Sequence, residues 1–356
     1  MTHEYHTHDA REARWTTSDT ALGRRLRADG GSEAIDGRRA DGGSEAADGR
    51  RADGGADASH PPVVVKIGGA RAVNPAGAIG DVADLVAAGR EVVVVHGGST
   101  AVDDTLEALD EEPTYVETPG GVVGRFTDQR TMEVFSMVLP GKLTTDLTAA
   151  LRGAGVDALG LSGVDGGLLT GPRKSAVRVL EDGKKKIKRG DHSGKITDVN
   201  ADLLETLLGD GYTPVLTVPM LADDGVAVNA DADRAAAAVA GALGADLVIL
   251  TDVEGVYADP DDPSTLIGSV TTPEEFDGLK NAANGFMSKK VMAAEEALNT
   301  GAPTVVVASA NADAPITGAL DGGGTHIAAG AVAVGTDDES ADRDDPTDTE
   351  DTEATG

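Results

Sequence analysis

The chain has 356 residues, with 30 Lys and Arg against 61 Asp and Glu, no cysteine and 3% aromatics. Without cysteine there is no disulfide framework, no thiolate metal site and no thiol nucleophile. No apolar run approaches the ~18 residues of a membrane span, and a formal charge of −31 argues against nucleic-acid binding, because the phosphate backbone would be repelled.

In chain order, residues 28–51 hold a 12-residue repeat, ADGGSEAIDGRR followed by ADGGSEAADGRR. Stacked copies would bury almost nothing, so 1–60 reads as a disordered extension. Residues 336–356 carry 1 Arg against 10 acids and read as a disordered acidic tail. Between them, 61–335 reads as one large domain with 20 basic and 39 acidic residues. Its excess of carboxylates and its small Ala, Gly and Val residues suggest solubility in concentrated salt, an acidic face for a cationic partner being the rival explanation. A soluble, cytoplasmic protein is expected.

Within the domain, strand-like and helix-like patterns alternate. Val63–Ile67 and Glu91–Val95 are continuous apolar runs, as expected of strands buried on both faces. Ala158–Leu161, Thr213–Val218, Leu247–Thr251 and Thr304–Ala308 read as further strands. Helical periodicity marks Ala76–Ala88, Ala101–Leu109, Asp128–Val138, Leu143–Arg152, Val199–Leu208, Asp233–Leu243 and Met287–Thr300. This order predicts an α/β fold with a mainly parallel sheet between helical layers, an αβα sandwich.

Two glycine turns close the first strands: Lys66-Ile-Gly-Gly69 and His96-Gly-Gly-Ser99. Glycine at a C-terminal strand edge lets backbone N–H groups approach phosphate, and Lys66 adds positive charge. Ordinary strand-to-helix turns would look the same, and neither turn fits the P-loop or dinucleotide fingerprints.

These turns are followed by Asn229-Ala-Asp-Ala-Asp233, Thr251-Asp-Val-Glu-Gly-Val-Tyr257 and Gly285-Phe-Met-Ser-Lys-Lys290. Taken together and in this order, the five segments resemble the amino acid kinase superfamily over essentially all of 61–335. The resemblance implies ATP towards one end of the sheet and a phosphoryl acceptor towards the other. It also implies that Lys66 and Lys290 flank the transferred group, with Asp233 holding both lysines. Gly68, Gly69, Asp252, Gly255 and Tyr257 would meet ATP. Taken alone, Asp233 also reads as a helix N-cap and Lys290 as a solvated helix lysine. No cluster of metal-ligand spacing appears, so Mg2+ is expected to arrive on the ATP phosphates.

For the acceptor, Gly124-Arg-Phe-Thr-Asp128 precedes a helix that Asp128 or Thr127 can cap. The planar fork of Arg125 suits a carboxylate, and resemblance to acetylglutamate kinases makes Gly98, Ser99, Arg125 and Asn229 a substrate clamp. Ser99 and Asp231 depart from that group. The Arg-Phe-Thr-Asp element and Arg189-Gly-Asp-His-Ser-Gly-Lys195 look more like its sister group, which phosphorylates aminoadipate or glutamate carried on a small acidic, LysW-type amino-group carrier protein. Turnover of free N-acetylglutamate is the alternative, and a silent nucleotide-binding regulator a second.

The charge map bears on this choice. Nine of the domain's 20 basic residues fall within 173–195, against Glu181, Asp182 and Asp191. The segment reads as a hairpin, Ala176–Leu180 turning at Glu181-Asp-Gly183 into Lys184–Arg189. Its Lys184, Lys185, Lys186, Lys188 and Arg189 would steer an acidic partner; local pairing with acidic neighbours is the bland alternative. A homodimer is expected as well, from the apolar content of Asp128–Val138 and from the family resemblance.

Overall fold

The computed structural model describes residues 60–68, 75–119, 123–181 and 183–332. The extension before His60, the tail after 335 and Gly69 lie outside the described residues. The chain runs β1 (Val63–Ile67), α1 (Pro75–Ala87), β2 (Val92–His96), α2 (Ser99–Ala108), β3 (Tyr115–Glu117), β4 (Val123–Arg125) and α3 (Gln129–Ser136). It continues through α4 (Thr144–Gly153), β5 (Ala158–Gly163), β6 (Leu169–Gly171), β7 (Arg173–Glu181), β8 (Lys184–Gly194), β9 (Asp198–Val199), α5 (Ala201–Gly209), β10 (Thr213–Ala222) and β11 (Ala227–Val228). It then adds α6 (Ala232–Leu243), β12 (Asp246–Thr251), β13 (Ser269–Val270), α7 (Pro273–Ala282), α8 (Phe286–Thr300), β14 (Thr304–Ser309), α9 (Thr317–Leu320) and β15 (Thr325–Ala328).

Among the described residues, eleven strands form one sheet in the order β13-β15-β14-β12-β1-β2-β10-β6-β9, with β5 and β11 also paired to β10. The central ladders β12–β1, β1–β2, β2–β10 and β12–β14 are parallel. Antiparallel pairing appears at β14–β15, β10–β11 and β6–β9. The expected mainly parallel sheet between helices is thus found, extended by short strands too brief to show a period in sequence.

The two-residue side-chain period separates two cores. Val63, Val65 and Ile67 of β1 pack with Val82 of α1, Leu147 and Leu151 of α4, and Ile316. Val64 points the other way, towards Ala236 and Val239 of α6 and Ala294 of α8. Lys66 shares the Val64 face, so a lysine is carried into the α6 side of a strand that is otherwise apolar.

The sequence suggests two helices flanking Pro140. In the structure they are one rod: α3 continues through a π-helical segment, Met137–Leu143, into α4. The wider turn accommodates a proline that lacks an N–H, and Thr144 N–H closes onto the Leu139 carbonyl. Asp128 caps α3, its side chain accepting from Thr131 N–H at 2.8 Å. The apolar face of α3 is already used within the chain: Met132, Val134, Phe135 and Val138 are buried, and Met137 stays half-exposed. The surplus apolar surface expected there is therefore confined to Met137. Among the described residues, no helix is long and apolar enough to cross a membrane.

Candidate active site

Lys66, Asp233 and Lys290 come together from β1, α6 and α8. Lys66 Nζ is 2.5 Å from Asp233 Oδ1 and Lys290 Nζ is 3.1 Å from Oδ2. All three side chains are largely buried. Burial pushes the Asp233 carboxyl upward, but Lys66 and then Lys290 pull it further down, to about 2. The carboxylate is therefore ionised at every working pH, and the triad carries one net positive charge.

Asp233 does not cap α6. The cap is Asp231, whose side chain accepts from Asp233 N–H at 2.9 Å and Arg234 N–H at 3.2 Å. Asp231 has the extended backbone of a cap, whereas Asp233 lies one residue inside the first turn, where it also faces the positive end of the helix dipole. This division of labour accounts for aspartate at 231: it satisfies the helix end while leaving Asp233 to the lysines.

Gly68 and Gly97 lie on neighbouring strand ends at the C-terminal edge of the sheet. Ile67 pairs with His96 in register, and Gly97 N–H reaches the Ile67 carbonyl at 3.4 Å. Gly68 follows directly. Gly98 precedes α2, whose first-turn N–H groups have no side-chain cap and so form an anion-binding end. A Cβ on Gly98 would stand 2.3 Å from Leu143 and 2.6 Å from Leu139, so the π-helical segment holds this backbone from behind. His96 is buried beside it, with Nε2 2.8 Å from Thr144 Oγ1, whose hydroxyl donates to Leu139 O at 2.9 Å. Burial drives the His96 pKa down to about 4, against the Gly97 carbonyl that raises it and with Lys66 lowering it further. His96 is thus neutral at pH 7, and sequence reading singled it out only as part of a turn.

Ser99 and Arg125 meet, and Asn229 reaches the segment just after Arg125. Arg125 Nη2 donates to Ser99 O at 3.2 Å and to the Tyr115 hydroxyl at 3.0 Å, and its Nη1 pairs with Asp103. Its guanidinium lies over the Tyr115 and Phe135 rings. The arginine expected as a carboxylate clamp is therefore already fixed in place by α2 and β3. Nothing in the spacing of Asp103 and Tyr115 marks them as its partners. Asn229 donates from Nδ2 to Thr127 Oγ1 at 3.1 Å, two residues beyond Arg125.

Past β12, the neighbour of β1, Asp252 is exposed and takes the Thr251 hydroxyl at 3.0 Å. Gly255 is buried, and a Cβ there would stand 2.6 Å from Thr325 Oγ1 and 2.8 Å from Leu266. Close packing thus requires glycine at this position, independent of any ligand. Tyr257 forms a bridge with Leu266.

The basic hairpin is present and longer than expected, β7 and β8 pairing from Arg173↔Gly194 to Glu181↔Lys184. Its base joins the acceptor-side residues: Gly194 N–H donates to Asn229 O at 2.8 Å, Asn229 N–H to His192 O at 2.8 Å, and His192 N–H to Thr127 O at 2.7 Å. Asp191, buried at this junction, accepts from the Ser193 hydroxyl and from Thr127 N–H. Lys184, Lys185, Lys186 and Arg189 are exposed, while Lys188 is half-buried. Among the described residues, no group of three His, Asp or Glu could hold a metal ion.

A mainly parallel sheet with two lysines clamped by one aspartate beside glycine turns defines a phosphoryl-transfer scaffold, and the chain belongs to the amino acid kinase family, whose model matches residues 61–309. It is 42% identical to a LysW-aminoadipate kinase of Deinococcus radiodurans, over 74% of this chain and 91% of that one. It is equally 42% identical to the LysW-aminoadipate kinase of Thermus thermophilus, covering 74% and 99%. An acetylglutamate kinase of Methanopyrus kandleri is 41% identical over 74% and 99%. Among solved structures, carbamate kinase from Giardia lamblia shares the fold at a TM-score of 0.54 and 15% identity, covering 76% of this chain and 99% of that one. N-acetylglutamate synthase from Neisseria gonorrhoeae does so at 0.60 and 24% identity, this chain spanning 59% of it.

Proposed function

We propose that this chain is an ATP-dependent kinase of the side-chain carboxylate of 2-aminoadipate or glutamate, held through its amine on a small acidic carrier protein. Its product is an acyl phosphate for lysine or arginine biosynthesis in the cytoplasm. The observation that carries this reading is the continuity between the basic hairpin and the acceptor residues through the hydrogen bonds of His192 and Gly194 to Asn229. A docked acidic carrier would have its tethered substrate delivered at the root of the hairpin. The names of the relatives from D. radiodurans and T. thermophilus support the same substrate class.

The reaction needs no general base, since a carboxylate is already nucleophilic. It needs two anions brought together and the migrating phosphoryl group neutralised. Lys66 and Lys290 are the cations for that task, held apart and oriented by Asp233. The N–H groups at Gly68, Gly69 and Gly98 are donors for phosphate oxygens, with Asp252, Gly255 and Tyr257 towards the nucleotide. Mg2+, carried on the ATP phosphates, supplies further charge neutralisation. Ser99, Arg125 and Asn229 take the acceptor. The acidic surface suits concentrated salt, and self-association into a homodimer belongs to the same proposal.

The M. kandleri relative favours a second reading, in which free N-acetylglutamate is the acceptor. Hydroxylamine trapping of the acyl phosphate, with N-acetylglutamate and carrier-linked aminoadipate and glutamate side by side, decides between the two. Turnover only with carrier-linked acceptors is expected; turnover with free N-acetylglutamate alone overturns the carrier reading and keeps the site.

A further inference from the structure

The hairpin divides its basic residues between two faces. Directly opposed residues of an antiparallel pair share a face. Val177 with Lys188, Val179 with Lys186, and Glu181 with Lys184 therefore lie on one side. Ala176 with Arg189, Arg178 with Ile187, and Leu180 with Lys185 lie on the other. The first side is the inner one. Val179 is buried there, Lys188 Nζ sits 4.3 Å from the centre of the Phe126 ring, and Lys186 is paired with Glu181 at 2.9 Å.

The second side faces away from the body of the protein. Arg178, Lys185 and Arg189 are exposed around Ile187, which is itself 65% exposed. On a chain so rich in carboxylates, three cations on one side of a hairpin are a local reversal of charge. The large branched apolar side chain at their centre joins neither apolar core among the described residues. An apolar centre inside a charged rim is the pattern of a protein–protein contact, where the rim steers and the centre holds.

We infer that this outer face, built by Arg178, Lys185, Ile187 and Arg189, is the docking surface for an acidic protein, with Ile187 as its apolar anchor. The complementary surface is a ring of carboxylates around an exposed apolar side chain. The inference rests on the carrier-linked reading, and it adds the face and the anchor. It separates lysines that meet the partner from Lys186 and Lys188, which are engaged by Glu181 and Phe126.

The test uses the full chain and carrier protein bearing aminoadipate, with two readouts: turnover, and calorimetric binding of the carrier. Ile187→Asp and Arg178→Glu should each weaken carrier binding about tenfold and raise its KM to match, with ATP affinity kept; Ile187→Val should restore wild-type binding. Unchanged carrier binding in both variants, with Lys188→Glu weakening it instead, places the partner on the inner face and overturns the inference. A change of oligomeric state by light scattering in Arg178→Glu, without a change in carrier binding, makes a second copy of this chain the occupant and also overturns it. Wild-type carrier binding that the two variants abolish, without turnover, removes the kinase reading and leaves the docking face standing.

Discussion

Lys66 Nζ stands 2.5 Å from Asp233 Oδ1, joining a central strand to the first turn of a helix much later in the chain. With Lys290 on the other oxygen, one buried carboxylate fixes the position of two ammonium groups. Burying any of these charges unpaired would be costly, and with two lysines on one carboxylate, loss of either still leaves Asp233 a partner. Lys66→Ala and Lys290→Ala should each lower kcat by about 100-fold or more, while circular dichroism shows a folded chain. Near-normal turnover in either variant would remove the lysines from the transfer step.

Asp233 also predicts an acid limb. Its folded pKa of about 2 lies below the usual 3.8, so the unfolded chain binds the proton first. The stabilisation is complete above pH ~4 and is lost as pH falls through about 2, a difference of about 2 kcal/mol. Melting curves from pH 2 to 6 should show a flatter acid limb in Asp233→Asn than in wild type. Parallel limbs would contradict the pairing.

His96 acts in a different window. Its folded pKa of about 4 is below the usual 6.5 because burial disfavours the imidazolium. Stability from neutral His96 is present above pH ~6.5 and declines as pH falls towards 4, by about 3 kcal/mol. In His96→Asn the melting temperature should change less between pH 7 and 4.5. Thr144→Val, which removes the hydrogen bonds to His96 Nε2 and Leu139 O, should cost about 1–2 kcal/mol in urea unfolding.

Gly98→Ala would place a methyl 2.3 Å from Leu143 Cδ1 and 2.6 Å from Leu139 Cδ2. Relieving that overlap should cost about 1–3 kcal/mol of stability and displace the start of α2, weakening nucleotide or acceptor binding. Gly98→Ala combined with Leu143→Ala should recover part of the binding. No recovery would show that the backbone itself, not its support, is at fault.

Arg125 has two separable roles. If it touches the acceptor, Arg125→Lys should raise acceptor KM well beyond the effect of Asp103→Asn, because lysine cannot reproduce the planar fork. If it only brackets β3 and β4 against α2, the two variants should raise KM equally. Steady-state kinetics on both, with ATP saturating, distinguishes these outcomes.

Much of this arrangement is legible in the amino-acid sequence. Long apolar runs such as Val63–Ile67 have one plausible placement, and Asp128 announces the start of α3. Gly68 and Gly98 flag the strand edge. Other features depend on contacts that no local window contains. β3 and β4 are three residues each and pair only with each other among the described residues, too short for a period to register. The helical join across Pro140 needs a π turn that the proline and glycine obscure. Asp233 reads as the cap of α6 until Lys66 and Lys290 arrive from distant elements, and the cap proves to be Asp231. α7 is a different case: Thr272 and Glu275 form a reciprocal capping box, and the T-x-x-E spacing encodes it, although its weak apolar periodicity does not.

Burial places the two sets of cations in different electrical worlds. Lys66 and Lys290 sit where mobile ions hardly penetrate, whereas Lys185 and Arg189 stand in solvent. At 1 M salt, attraction between exposed charges fades beyond ~3 Å. Phosphoryl transfer at saturating acceptor should then tolerate brine that blunts long-range capture of the partner, and Ile187, whose contact needs no charge, becomes the part of the hairpin that still works when the cations are muffled.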